Sequence, residues 1–324
     1  MMIEALKSFA MQLSFEPQII NAEKLIRDQQ LVVCGMGGSH LSADTYALLS
    51  PLNIRAIHSD YGLPDLVDEV ARRCTYVMSS YSGNTEEILE SYDAARTRGF
   101  AMCAMAVGGK LIERASADGI PYIQFPNLGL QPRAALGFGC VALAHFAADA
   151  AAILELKKLS TALAWESHDA AGTQLAAQLH GKTPIIYATR RNAAIAQNWK
   201  IKCNENAKIP AFWNIIPELN HNEMTGFDAV DATRALSQQF FVILLRDDDD
   251  HPNNLRRMDA TQKMYEARGI GVITVAMTGT TRAEKIFNSL MRADWSSVRL
   301  GERYGVETEQ VPMVEEFKKL IAPR

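Results

Sequence analysis

Short apolar runs recur along this chain at intervals that one helix fills, and that rhythm constrains the fold more than any other feature. From Gln30 onward the runs "LVVCG", "IRAIHS", "TYVMSS", "FAMCAMAV" and "IPYIQF" are interleaved with helical patterns that start near Ser39 and Asn84. Strands spaced in this way form βαβ units, and βαβ units build a parallel sheet. After an alanine-rich polar helix expected near residues 160–180 the rhythm returns. "TPIIYAT", "FFVILLRD" and "GVITVAM" alternate with helices from Asn192, Asn254 and Arg282. A chain of 324 residues is about two domains long, and the repeated rhythm puts the division near residue 153, giving domains 1–153 and 154–324. Just before it, "ALGFGCVALAHFAADAAAIL" is almost wholly small and apolar. It reads as one buried helix over 134–154 that closes the first half or faces a second subunit. "RDDDDHPNN" follows a strand and reads as a solvated loop before a helix, with a magnesium site the minor alternative.

The turn after the first strand, "GMGGSH", carries the first chemical signal. Gly35, Gly37 and position 40 have the G-x-G-x-x-G spacing of a dinucleotide turn, but His40 stands where the third glycine belongs. Asp60 could hold a ribose, yet a dinucleotide leaves the second loop, "SSYSGNTEE", without a task. There Ser80, Ser82 and Thr85 surround Gly83 just before a helix with early glutamates. Together with Gly37, Gly38 and Ser39 these residues supply hydroxyls and backbone N–H groups at two helix starts, which is an anion cradle. A terminal phosphate offers three oxygens, and clustered serine and threonine donors satisfy them without lysine.

Composition narrows the partners. A formal net charge of -4 argues against a basic nucleic-acid face. No apolar run approaches the ~20 residues that cross a bilayer, and the first residues lack the pattern of an export signal. Cys34, Cys74, Cys103, Cys140 and Cys203 are scattered and never spaced C-x-x-C, so they read as buried, reduced thiols of a cytoplasmic protein.

"GMGGSH" followed some forty residues later by "SSYSGNTEE" resembles the sugar isomerase, or SIS, domain. The second half resembles more narrowly the bifunctional phosphoglucose/phosphomannose isomerase family, through "NENAKIPA" and "PELNHNE" inside the run 198–227, and through "YGVETEQVPMVEEFKKLI" near the end. The resemblance covers the whole chain. It implies an α/β fold of two SIS-type, flavodoxin-like αβα sandwich domains, each with a parallel sheet. It also implies a cofactor-free and metal-free aldose–ketose isomerase that takes glucose 6-phosphate or mannose 6-phosphate to fructose 6-phosphate through a cis-enediolate, working as a homodimer whose subunits share active sites. The family's loop serines and threonines bind the substrate phosphate, which assigns that part to Gly37, Gly38, Ser39, Ser80, Ser82 and Thr85.

The chemistry needs a base that moves a proton between C2 and C1, and Glu205 in "CNENAK" fits it. A carboxylate in a partly dry pocket tends toward a raised pKa, which suits a base. His221 lies between two asparagines in a polar turn, where a titratable imidazole suits ring opening. The family supports that role, with the histidine given across the subunit interface. His221 and Glu223 lack the i, i+4 spacing of a helical zinc pair. Arg133, in a proline-led turn before the apolar helix, is either a rim salt bridge or a cation beside an anion, and the resemblance assigns it to the enediolate. Lys318 matches the lysine of the family's C-terminal helix, with Lys319 its rival. Two positions depart from the family's pattern: His40, and Glu309, which stands where a threonine is usual while Thr308 lies one place early. The second leaves the choice between glucose and mannose epimers open. Two other readings stand beside the enzyme: a regulatory SIS protein that binds phosphosugar without turnover, and a nicotinamide dehydrogenase resting on Gly35 and Gly37.

Overall fold

The computed structural model describes residues 2–321. The chain forms two compact units, one of Lys7–Leu163 and one of Ala164–Arg324 with Met1–Leu6. The change of unit falls between two helices, Ala150–Ala162 and Trp165–Leu179, and residue 153 lies inside the first of them.

The first unit holds β1 (Ile19–Ile20), β2 (Gln30–Gly35), β3 (Ile54–His58), β4 (Cys74–Ser79), β5 (Met102–Ala106) and β6 (Tyr122–Gln124) in the order β1-β6-β5-β4-β2-β3. Every pair is parallel except the edge pair of β1 and β6, which is antiparallel. The middle strands explain themselves: β4 and β5 are buried along their whole length, as continuous apolar runs covered on both faces must be. Counting only helices of nine residues or more, this unit contains α1 (Gly38–Leu49), α2 (Glu86–Thr97), α3 (Gly109–Ala117), α4 (Leu136–Phe146) and α5 (Ala150–Ala162).

The single apolar helix expected over 134–154 is therefore two. Ala148 takes a positive φ of 52°, and the Asp149 carboxylate caps the second helix by accepting from the Ala152 N–H at 3.0 Å. In α4 only His145 escapes full burial, and the helix packs against α1. Its apolar surface is thus covered within its own unit. That removes the reason for sending this stretch to a subunit interface.

The second unit holds β7 (Thr183–Thr189), β8 (Phe212–Ile216), β9 (Phe240–Arg246) and β10 (Gly271–Ala276), all parallel, in the order β10-β9-β7-β8. Its helices are α6 (Trp165–Leu179), α7 (Ala193–Ala207), α8 (Pro252–Glu266), α9 (Arg282–Tyr304) and α10 (Pro312–Ile321). α9 opens with a capping box between Thr281 and Glu284 and stops at Gly305, left-handed at φ 68°. It packs along α6 and α7.

In both sheets the strand order reverses beside the first long strand, between β2 and β4 and between β7 and β9. At such a reversal helices leave to opposite faces and a crevice opens at the strands' carboxyl ends. In the second unit charge fills this place. The carboxylate of Asp247, fully buried, accepts from Arg191 at 3.0 Å, Arg282 at 3.0 Å and Lys285 at 2.8 Å. Asp250, also buried, accepts from the Thr189 hydroxyl at 2.7 Å. The run of aspartates is accordingly a solvated loop only at its middle: Asp248 and Asp249 are exposed, its first and last members are buried anchors, and the cations that hold the first come from other elements.

Candidate active site

The corresponding crevice of the first unit carries the glycine and hydroxyl loops. β2 ends at Gly35 and delivers residues 36–39 into α1; β4 ends at Ser79 and delivers residues 80–85 into α2. Ser39 ties the two together, its hydroxyl accepting the Tyr81 N–H at 2.9 Å. In the second loop the Ser80 and Thr85 hydroxyls lie 2.7 Å apart, and Ser80 Oγ also accepts the Gly83 N–H at 3.1 Å. Ser39 and Ser80 are buried. Ser82 differs: it is exposed, and its hydroxyl accepts the Asn84 N–H at 3.2 Å. The loops thus link Ser39, Ser80 and Thr85 and leave Ser82 on the outer turn.

Both helix starts lack a side-chain cap. Thr85 occupies the N-cap position of α2 but its hydroxyl faces Ser80, and α1 begins after Gly37, which has no side chain to offer. A helix N-terminus without its own cap presents first-turn N–H groups and a partial positive charge to an anion.

Two further segments brace the cradle. Gly83 is left-handed at φ 73°, and a Cβ there would lie 1.8 Å from the Gly108 carbonyl oxygen. The loop after β5 is therefore pressed against the hydroxyl loop, and the Val107 N–H donates to the Tyr81 carbonyl at 2.8 Å. On the other side Gly38 touches the short 3₁₀ turn Pro132–Ala134, where a Cβ would meet the Pro132 carbonyl carbon at 2.4 Å and the Arg133 nitrogen at 2.7 Å. That turn is held in place by Gln12, whose amide donates to the Ala134 carbonyl at 2.7 Å and accepts the Gly137 N–H at 3.1 Å. Arg133 itself is buried. A small cavity under the loops is lined by Ser39, Ser79, Tyr81, Phe125 and Pro132 among others.

The close approach at Gly38 yields a test. Gly38→Ala forces the first loop away from the Arg133 turn, because its Cβ would meet backbone atoms that cannot swing aside. Displacement of about 1 Å at a binding loop is expected to lower kcat/KM toward phosphosugar by ~10²-fold. Steady-state kinetics beside a thermal melt of the variant checks this.

The other predicted residues belong to the second unit. Glu205 lies in the last turn of α7, half-buried, and the helix stops at Lys208 with a left-handed φ of 58°. Its neighbours are pinned: Asn206 donates to the Ser297 hydroxyl at 2.9 Å, and Lys202, fully buried, pairs with Asp294 at 2.7 Å. His221 ends a 3₁₀ turn, Glu218–His221, and is exposed. Lys318 lies on α10, exposed and paired with Glu315 at 2.7 Å, and Lys319 is exposed beside it. All five cysteines are buried free thiols, and burial pushes that of Cys34 up to about 12.

Residues 168–321 match the family described as bacterial phospho-glucose isomerase C-terminal SIS domain. A bifunctional phosphoglucose/phosphomannose isomerase from Aquifex aeolicus is 33% identical over 304 residues, 92% of each chain. This chain belongs to that family. A second relative of the same name, from Caldicellulosiruptor bescii, is 31% identical over 311 residues, 90% of this chain and 89% of its own. The solved structure of a glucosamine-6-phosphate deaminase from Thermotoga maritima superposes with a TM-score of 0.69 at 14% identity, covering 96% of this chain and 97% of that one, a likeness of fold alone.

Several residues that shape the cradle escape a reading of motifs. Gln12 sits more than a hundred residues from the turn it braces, and nothing in its surroundings announces the contact. Gly108–Gly109 is absent from the motifs above, though it carries a local signal: a glycine pair between a strand and a helix repeats the punctuation of the first loop.

Proposed function

We propose that this chain is a cofactor-free aldose–ketose isomerase that interconverts glucose 6-phosphate with fructose 6-phosphate, with mannose 6-phosphate as a second aldose. The observation that carries the reading is the pair of hydroxyl loops joined through Ser39 and Tyr81 at the uncapped starts of α1 and α2, in a chain of this family. In the proposed scheme the phosphate is held by Ser39, Ser80, Thr85 and first-turn N–H groups, with Gly37 and Gly38 letting the backbone approach it and Ser82 at the rim. His221 assists opening of the sugar ring. Glu205 takes the proton from C2 and returns it to C1, Arg133 stabilises the enediolate oxygens, and Lys318 completes the proposed catalytic set. The setting is the cytoplasm, in the hexose phosphate exchange of glycolysis and gluconeogenesis. Separate coupled assays with glucose 6-phosphate, mannose 6-phosphate and fructose 6-phosphate test the reading. Binding of all three with no turnover would sink it in favour of a phosphosugar-binding protein, and a melting shift with NAD alone would favour a dehydrogenase.

The proposed active form is a homodimer in which His221 serves the neighbouring subunit. Support comes from α10, on which Met313, Val314, Phe317, Leu320 and Ile321 recur at helical spacing and are all exposed. An apolar stripe of this kind marks an interaction surface. Sedimentation at micromolar concentration is expected to give a dimer, and Phe317→Asp with Leu320→Asp is expected to weaken both association and activity. A wild-type monomer with full activity would refute the arrangement.

A further inference from the structure

The segment that carries His221 is fastened on both sides of that residue. Leu219 is fully buried, and the Asn220 amide donates to the Thr261 hydroxyl on α8 at 2.8 Å. Beyond His221 the Asn222 side chain donates to Glu218 at 2.9 Å and accepts the Glu223 N–H at 2.6 Å. The last fastening is the strongest. One oxygen of the Glu223 carboxylate accepts from the buried Tyr187 hydroxyl on β7, and the other accepts from the Asn214 amide on β8 at 2.5 Å. The neighbouring Tyr265 hydroxyl, on α8, lies 3.5 Å from that of Tyr187. Charge-assisted bonds to both oxygens from two adjacent strands make this carboxylate a rigid joint between the sheet and the turn. His221, between the fastenings, is the exposed side chain of the stretch 219–221.

We propose that Glu223 is a positioning residue: it braces the His221 turn against β7 and β8, so that the imidazole is presented in one orientation, and does not itself touch substrate. This rests on the ring-opening role proposed for His221. Burial first, and then the neighbouring Tyr265 and Glu223, push the Tyr187 hydroxyl far above its ordinary value, which keeps it a neutral donor to the carboxylate. Both carboxylate oxygens are committed, which leaves Glu223 poorly suited to act as a base. The sequence is compatible with this division of labour, since the "E" of "HNE" lies two residues from the histidine and on the far side of the turn.

The variants are Glu223→Gln, which places an N–H₂ group opposite a donor, and Tyr187→Phe, which removes one donor while keeping the carboxylate. Each is expected to lower kcat for fructose 6-phosphate by ~10–100-fold with KM little changed. A second substrate separates positioning from general damage. 5-Deoxyfructose 6-phosphate cannot close a furanose ring, so ring opening is bypassed, and deuterium exchange at its C1 reports the proton transfer alone. Glu223→Gln, Tyr187→Phe and His221→Ala are each expected to leave that exchange near the wild-type rate. The double variant Glu223→Gln/His221→Ala is expected to be no slower on fructose 6-phosphate than His221→Ala, because the first change acts through the second residue. Wild-type turnover in His221→Ala would overturn the histidine reading on which the proposal rests. Impaired turnover in His221→Ala beside wild-type turnover in Tyr187→Phe and Glu223→Gln would overturn the joint alone, as would equal slowing of both substrates or additive losses in the double variant. If Glu223→Gln does not fold, Tyr187→Phe decides the matter by the same comparisons.

Discussion

Glu205→Gln is expected to bind phosphosugar as the unaltered protein does while isomerisation falls by ~10²–10⁴-fold, a rise of about 3–5 kcal/mol in the barrier. The substitution keeps the length and hydrogen-bonding reach of the side chain and removes its basicity. Glu205 is half-buried on α7, and the nearby Asn206 and Lys202 have partners in Ser297 and Asp294. If the phosphate is gripped by the loops after β2 and β4, affinity has no reason to follow turnover downward. Deuterium at C2 of the aldose gives the sharper reading: the wild type washes the label into solvent or carries it to C1, and the variant does neither. Exchange at the wild-type rate in Glu205→Gln would assign the base to another residue.

Asp247→Asn is expected to destabilise the second unit by about 3–5 kcal/mol, the scale for removing one partner from a buried ion pair. Asp247 is fully buried beneath Arg191, Arg282 and Lys285, and the amide would remove the one carboxylate that all three cations share. Urea unfolding of the two proteins compares the midpoints directly. A loss below 1 kcal/mol would mean that the cations find other partners, with Asp249 already 2.7 Å from Lys285 the first candidate. The acid limb gives an independent check. Burial works against ionised Asp247, but the Lys285 ammonium, the Asp249 N–H and Arg191 outweigh it and hold its carboxyl below the usual value. A folded pKa below the unfolded one stabilises fully above the ordinary carboxylate range, and that stability is lost as pH falls through the lowered value. The acid sensitivity below about pH 4 should therefore be flatter in Asp247→Asn. Asp250 has the opposite sign: burial, despite the Thr189 hydroxyl, raises its pKa, so its ionisation costs the folded state stability as pH rises.

The strands were the most legible part of the chain because burial on both faces demands uninterrupted apolar runs, and β2, β4, β5, β7 and β9 have them. The strand β8 was not legible. "FWNII" is five residues between Pro210 and Pro217 at the edge of the sheet, with Phe212 exposed, so neither length nor polarity separates it from a loop. The break in the apolar helix depended on Asp149, whose capping carboxylate is one polar letter in an alanine run. For the site, the hydroxyl loops could be found because anion binding at helix starts writes itself locally into adjacent residues. The brace could not, since Gln12 acts on the Arg133 turn across more than a hundred residues of chain. The aspartate run shows the difference most plainly: sequence displays four acids together, and only the fold brings the bases that two separate elements contribute.

That charge cluster also bears on how many guests one chain can take. The crevice between β7 and β9 is the counterpart of the one that carries the hydroxyl loops, and its occupant is a carboxylate of the same polypeptide. A tethered group is present at an effective concentration that no dissolved phosphate reaches in a cell, and it cannot diffuse away. The two sheets are thus alike in plan and unlike in furnishing: one crevice is lined by hydroxyls and helix starts without a side-chain cap, and the other is built around an anion of its own.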